Sequence, residues 1–316
     1  MRVCQARRFC RGKKSAKGID SCTADACEGL SGSPESAVQA LLAHARRGGT
    51  YTAKTTLQPH TAVQKAMRSD GRQPLEAREL DVETNILVQC WGSARCVVGG
   101  GLGGGTECLA AVTAQIGEGT ACVIEVECSP SLWASGDDRA KLAWQERLSR
   151  EADAWLTPWR AAIPKIGEKL GWHLAVDCII LSDDGGLREA LSCAVRAALA
   201  STRLPAAEEA LEASDETTEA LPFSLLAAET PPTTLSVDEC PVVVTLAVVG
   251  GTLVADTTAD EPADAMVAVA VAGGAVVGVD VLCGAVPPDL LREAVAAAPA
   301  LAAPLLRGSS LTPAPR

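Results

Sequence analysis

The sequence predicts an α+β chain built as two related lobes. Three observations carry this. A β-rich stretch begins at residue 79 and gives way to helical periodicity. A second group of strands begins at residue 241 and ends in another helix. An acidic, proline-containing connection lies between the two. With 316 residues the chain is long enough for one large core or two modest ones. The expected division is a basic, disordered extension at 1–60, a first lobe at 61–205, a linker at 206–235, a second lobe at 236–305 and a tail at 306–316.

The elements follow from period and composition. Residues 79–84 (ELDVET) alternate apolar and polar, as a half-buried strand does. Residues 95–98 and 109–114 are short apolar runs on either side of a glycine tract, and 121–128 (ACVIEVEC) alternates again. The period then changes. Trp144, Leu148, Ala152, Trp155 and Trp159 recur at spacings of four, four, three and four, which lines one face of a helix over 139–161. Those tryptophans read as core rather than as a base-stacking surface. A strand at 174–181 and a helix at 187–200 follow, the helix with Leu187, Leu191, Ala194, Val195 and Ala198 on its apolar side. Residues 206–219 hold six acids and no base, and 229–234 read ETPPTT, so a solvated connection is expected. Strands return at 241–249, 252–257, 266–272 and 275–282, and a helix at about 288–303.

Charge and cysteine usage exclude several classes. A net charge of −11 argues against nonspecific nucleic-acid binding by the free chain, because a polyanion is held by clustered Lys and Arg that release its counterions. Of thirteen cysteines, most sit singly inside apolar runs, such as Cys122, Cys128, Cys178, Cys193 and Cys240, where Cys acts as a small hydrophobe. With no secretory signal and no run of 18 apolar residues, a reduced, soluble compartment is expected. The first 17 residues carry seven bases and no acid, which fits a nuclear or nucleolar address, an organelle transit peptide or a plain basic tail. Cys4, Cys10, Cys22 and Cys27 lack the paired CxxC spacing of a zinc knuckle. The tract VVGGGLGGGTECLAAV contains GxGxxG at Gly99, Gly101 and Gly104, but the glycines that follow would occupy the first turn of the required helix, each costing about 1 kcal/mol relative to Ala. A long hairpin tip is the better reading.

Four segments in order carry a family resemblance: RSDGRQPLEARELDVET around Asp70-Gly71-Arg72, SARCVV at 93–98, VDCIILSDDGGLREALSCAVRAALASTRL at 176–204, and LVADTTADEPADAMVAVAV at 253–271. Together they resemble the RNase PH family, specifically the RNase PH-like ring subunits of the exosome. DVET with SARCVV leans toward the component-seven type, the eukaryotic relative of the archaeal non-catalytic ring subunit. The resemblance spans about residues 61–305. It implies an RNase PH-like fold of two βα lobes, a ring of six such chains and a central channel for RNA. It implies as partners the other RNase PH-like subunits, cap proteins and associated nucleases, with RNA in the assembled channel and no membrane. It implies no cofactor and no metal, and a place in nucleus, nucleolus and cytoplasm.

Active members resemble D-C-D-x-x-Q-A-D-G-G-T-R at the third segment. On this chain the family's first catalytic acid falls on Ile179 and its second on Asp184. Gly185, Gly186 and Arg188 match, and Leu187 replaces a polar residue. A hydrocarbon holds no Mg²⁺ and no proton for a leaving oxygen. Asp177 shares a strand face with Ile179 but lies roughly 6–7 Å along the strand. The family's Gly-Arg-Ser-like phosphate turn falls on Leu156-Thr157-Pro158-Trp159-Arg160, where the glycine is gone. The resemblance therefore implies a catalytically inert structural subunit supporting 3′→5′ RNA processing, with Asp184 expected to accept backbone N–H groups at a helix start. Arg95, Arg139, Lys141, Arg147 and Arg150 are candidates for RNA contact; the alternative is a solvated face paired with Asp137, Asp138, Glu146 and Glu151. Two rival functions stay open: a phosphate-dependent 3′→5′ exoribonuclease using Asp184 with a displaced Asp177, and a dinucleotide-dependent oxidoreductase on Gly99–Gly104.

Overall fold

The computed structural model describes residues 68, 70–101, 104–132, 137–209, 223–226 and 230–309. The basic extension with its four cysteines, the hairpin tip at 102–103 and the acidic run 210–219 lie outside the described residues.

The first lobe is a five-stranded sheet of β1 (Leu80–Thr84), β2 (Gly92–Gly101), β3 (Gly104–Glu118), β4 (Ala121–Cys128) and β5 (Leu170–Ser182), in the order β1-β2-β3-β5-β4. The glycine tract is the turn of the β2–β3 hairpin, with an irregularity between Val98 and Gly101. Gly99 has φ +71°, and a Cβ on Gly105 would sit 2.6 Å from the Val98 carbonyl oxygen, so the glycines serve the turn and the close approach of its two strands. A strand follows them, not a helix, and the dinucleotide reading falls with that. β4 and β5 run parallel, which requires a crossover. It is supplied by α1 (Asp138–Leu156), started by the Asp137 carboxylate on the Ala140 N–H, and by a 3₁₀ turn at Pro158–Ala162. Pro158 ends the regular helix ahead of the expected residue 161.

One face of this sheet is core. It carries Cys96, Val98, Cys108, Val112, Ile124, Val126, Cys128, Val176, Cys178 and Ile180, each at most 5% exposed. The cysteines on it are free and packed as small apolar groups, and burial pushes the Cys122 thiol up to about 11.

The second lobe is an antiparallel sheet of β10 (Val242–Val249), β11 (Thr252–Ala255), β12 (Ala265–Ala272) and β13 (Ala275–Cys283), in the order β11-β10-β12-β13. Between the lobes, β6 (Arg203–Leu204) pairs with β9 (Thr233–Thr234), and β7 (Ala207–Glu209) with β8 (Phe223–Leu225). α3 (Pro288–Gly308) closes the described chain and runs through Pro299 and Pro304, past the expected end at 303.

The lobes share α2 (Leu187–Ser201), which packs on β2 and β3 on one side and β10 on the other. Every residue of α2 except Arg188 is buried, so its polar side is buried too. β11 pairs only with residues 246–249 of β10, and the first half of β10 offers edge N–H groups. α2 satisfies them. Val243 N–H donates to Ser192 Oγ at 2.9 Å, and Thr245 N–H donates to the Glu189 carboxylate. Arg196 donates to the Cys240 carbonyl and to Ser309 Oγ at the end of α3.

Candidate functional site

β5 delivers the segment that matters. Its side chains alternate: Cys178 and Ile180 enter the core, so Asp177 and Ile179 face the opposite, open side of the sheet. The register places Ile179 in a row across four strands, Arg95–Leu109–Ile179–Glu127, and Asp177 in the adjacent row beside Ala111 and Glu125. Ile179 is therefore a 38% exposed hydrocarbon bordered by Glu127 across the ladder and Asp177 along the strand. Among the described residues, no group of three or more His, Cys, Asp or Glu could hold a metal ion.

Beyond Ser182 the chain turns through Asp183, Asp184, Gly185 and Gly186. Gly185 and Gly186 have φ of +81° and +67°, and a Cβ on Gly185 would meet the Thr257 carbonyl oxygen at 1.9 Å. The pair of glycines is what lets this turn press against the second lobe. Thr106 braces it, accepting from the Asp184 N–H at 2.8 Å and donating to the Gly185 carbonyl.

Asp184 does not cap α2. The N-cap of α2 is Gly186, with no side-chain cap, and Gly185 N–H donates to Asp183 Oδ1. The Asp184 carboxylate instead accepts from Arg78 at 3.3 Å, because Arg78 is fixed beside it by stronger ties. Its guanidinium donates to Asp256 Oδ1 and Oδ2 at 2.7 and 2.9 Å and to the carbonyls of Asp184 and Gly185. Asp256, 3% exposed at φ 47°, also accepts from Arg72 at 2.9 Å. Arg68 grips Glu261 through two bonds of 2.9 and 2.8 Å and donates to the carbonyls of Ala255 and Asp256. Arg68, Arg72 and Arg78, on either side of and within the Asp-Gly-Arg segment, thus form a strap that fastens the start of the first lobe to the 255–261 turn of the second. No residue-type pattern announces this, since the partners lie some 180 residues apart.

Two carboxyls near the turn are displaced upward. Burial raises Asp183, against the pull of the Gly185 N–H and Arg188. Burial, with the charge of Asp256, raises Glu189 to about 7. Arg188 is paired with Glu151 of α1 at 2.7 Å.

The remaining expected site residues are spread. In the 156–160 turn Leu156 and Trp159 are buried while Thr157 and Pro158 are exposed, and the Trp159 ring N–H donates to the Ser236 carbonyl at 2.7 Å. Arg95 lies on the open sheet face, paired with Glu107 at 2.6 Å and Glu83 at 3.5 Å. Arg147 is bound by Glu151 at 2.7 Å. Arg139 and Arg150 are exposed on α1. Lys141 lines a groove with Glu127, Asp138, Leu142 and Ile179. The five do not form one cluster; α1 holds four, and Arg95 stands apart on β2.

A two-lobed βα fold joined through α2, with this Asp-Asp-Gly-Gly turn at the joint, defines a class, and comparison with known proteins agrees. Residues 76–205 match the model of domain 1 of the 3′ exoribonuclease family, and residues 239–299 that of its domain 2. The chain belongs to this family, the RNase PH family. It is homologous to Rrp42 exosome components. It is 27% identical over 212 residues to the exosome complex component Rrp42 of Methanosarcina acetivorans, covering 63% of this chain and 70% of that one. It is 36% identical over 104 residues to a Dictyostelium discoideum protein described as an exosome complex exonuclease RRP42, and this match spans only 28% of that protein's length and 30% of this chain. A chain of a solved archaeal exosome core has the same fold, with TM-score 0.58, 21% identity, and coverage of 88% of this chain and 98% of that one.

Proposed function

We propose that this protein is a structural subunit of an exosome core ring that carries no phosphorolytic site of its own. It would support 3′→5′ RNA processing by holding RNase PH-like neighbours and cap proteins, with RNA and the associated nucleases meeting in the assembly. What supports the reading is the exposed hydrocarbon Ile179, where the resemblance lays the family's first catalytic acid, together with the bond from Arg78 to Asp184, where it lays the second. A carboxylate held by a fixed guanidinium is a poor metal ligand, because the cation would have to displace a charge of its own sign. Arg139, Lys141 and Arg150 are the side chains we assign to RNA contact in the assembly, and nuclear, nucleolar and cytoplasmic pools are expected for it.

The test is an assay of the purified chain on a single-stranded RNA with a free 3′ end, in phosphate and Mg²⁺. The expected result is no release of nucleoside diphosphates. Phosphate-dependent release that disappears in Asp184→Ala would establish the enzyme reading instead.

A further inference from the structure

The strap and the joint between the lobes meet at one saturated arginine. A guanidinium has five N–H donors. Those of Arg78 meet five acceptors. Nε donates to Asp256 Oδ2 at 2.9 Å. Nη1 donates to the Asp184 carbonyl at 3.1 Å and to the Asp184 carboxylate at 3.3 Å, and Nη2 donates to the Gly185 carbonyl at 2.9 Å and Asp256 Oδ1 at 2.7 Å. Three of the five bonds hold the Asp-Asp-Gly-Gly turn. That turn is one wall of a cleft of about 420 Å³, lined also by Thr257, Thr258 and Glu261 of the second lobe.

Glu189 stands beside this arginine. It lines a small cavity, of about 20 Å³, together with Arg78 and Asp256. The other walls are uncharged: Ala77, Leu80 of β1, Val98 of β2, Val244 of β10, Ala255 of β11, and Leu301 and Leu305 of α3. Asp256 acts on Glu189 from the end of β11, Arg78 from the strap, Thr245 from β10, and Arg188 and the Cys193 thiol from α2 itself. Cys193 is pushed up by its hydrogen bond with Cys96 and by burial, so it brings no charge. A neutral Glu189 suits these surroundings. The Thr245 N–H and hydroxyl meet its two oxygens, and Asp256 has Arg78 and Arg72 as its cations. An ionised Glu189 does not. At 4% exposure a second buried negative charge needs a cation. Arg188 is held by Glu151, and Arg78 has no free donor. Arg78 can turn to Glu189 only by releasing an acceptor. Its longest bond is to the Asp184 carboxylate, whose side chain is 37% exposed and is readily hydrated when released.

We propose that a proton on Glu189 locks the Asp-Asp-Gly-Gly turn, and that its loss draws Arg78 off the turn toward α2 and frees that wall of the cleft to move. Burial and the charge of Asp256 place the change near pH 7. The device belongs to the chain itself and does not depend on the ring reading. Burial also raises Asp183, in the same turn, so the test separates the two acids.

The test is hydrogen–deuterium exchange of the full chain between pH 6 and 8, with labelling times scaled to the intrinsic amide rate. The reporters are the Asp184 N–H, bonded to Thr106 Oγ1 at 2.8 Å, and the Ala190 N–H, bonded to the Gly186 carbonyl at 3.1 Å. Across this range the protonated fraction of a group titrating near 7 falls about tenfold, and protection of these amides should fall by about as much. Glu189→Gln should hold it constant. Asp184→Asn removes a carboxylate that competes for Arg78, so the loss of protection should begin at lower pH. Protection in the native protein that does not change with pH overturns the proposal. A loss of equal size in Glu189→Gln assigns the effect to Asp183 and overturns it too. An unmoved midpoint in Asp184→Asn overturns the part given to Arg78.

Discussion

Replacing Glu189 with glutamine probes the joint between the lobes most selectively. The carboxyl group is 4% exposed and caps the edge N–H and hydroxyl of Thr245, with Asp256, Arg78 and Arg188 as the charges around it. Burial, reinforced by Asp256, raises it from 4.5 to about 7. At 1.36 kcal/mol per pH unit, that rise corresponds to about 3 kcal/mol. The sign follows from linkage. Below pH 4.5 the group is neutral in both states and its contribution is complete. As pH rises, the unfolded chain ionises first and draws the equilibrium toward itself, and the loss is finished once the folded group ionises near 7. Glutamine keeps an acceptor for the Thr245 N–H and has nothing to ionise. Urea unfolding from pH 4.5 to 8.5 should therefore show the native protein losing roughly 1 M or more in midpoint relative to the variant across that window. Groups such as Glu261, held low by Arg68, slope the other way but are common to both proteins and cancel in the difference. Parallel profiles for the two proteins would refute the assignment of a neutral Glu189 at the joint.

The strap and the turn give further expectations. Arg78→Ala leaves Asp256 buried with Arg72 as its remaining cation and should cost about 3 kcal/mol in chemical unfolding, with Arg78→Lys restoring only part because one ammonium replaces a fork. Gly185→Ala drives a methyl group into the Thr257 carbonyl at positive φ and should cost more than the roughly 1–2 kcal/mol of a left-handed alanine alone, read as a drop in melting temperature. Trp159→Phe strands the Ser236 carbonyl and should cost about 1–2 kcal/mol with no change in RNA binding by the assembled complex. Ile179→Asp places a third acid beside Asp177 and Glu127; it should lower stability by up to about 1 kcal/mol and produce no phosphorolysis in the RNA assay.

The parts of the fold that were legible are those written in local period. ACVIEVEC is β4 to the residue, and the stripe of Trp144, Leu148, Ala152, Trp155 and Trp159 packs as core, with Leu148, Ala152 and Trp159 fully buried. The helix at 187–201 was legible as a helix but not as a buried one. Leu191 and Val195 declare one apolar side, whereas Glu189, Ser192 and Arg196 look like a solvated side until β10 is seen to need their hydrogen bonds. The candidate site divides in the same way. Ile179 could be read directly, because a strand's alternation fixes which face it takes. The engagement of Asp184 by Arg78 could not, because it depends on a strap that closes over the distant Asp256. A short Asp-Asp-Gly-Gly turn also offers two acids for the cap, and it is Asp183 that meets the Gly185 N–H.

Whether this chain acts as one RNase PH-like subunit among others is read most directly from the native mass and composition of the complex recovered from source cells on the tagged, full-length protein. A heteromeric assembly in which this chain sits with other RNase PH-like subunits is expected. Recovery as a homo-oligomer without them would contradict it, and would return the active, solitary exoribonuclease to first place.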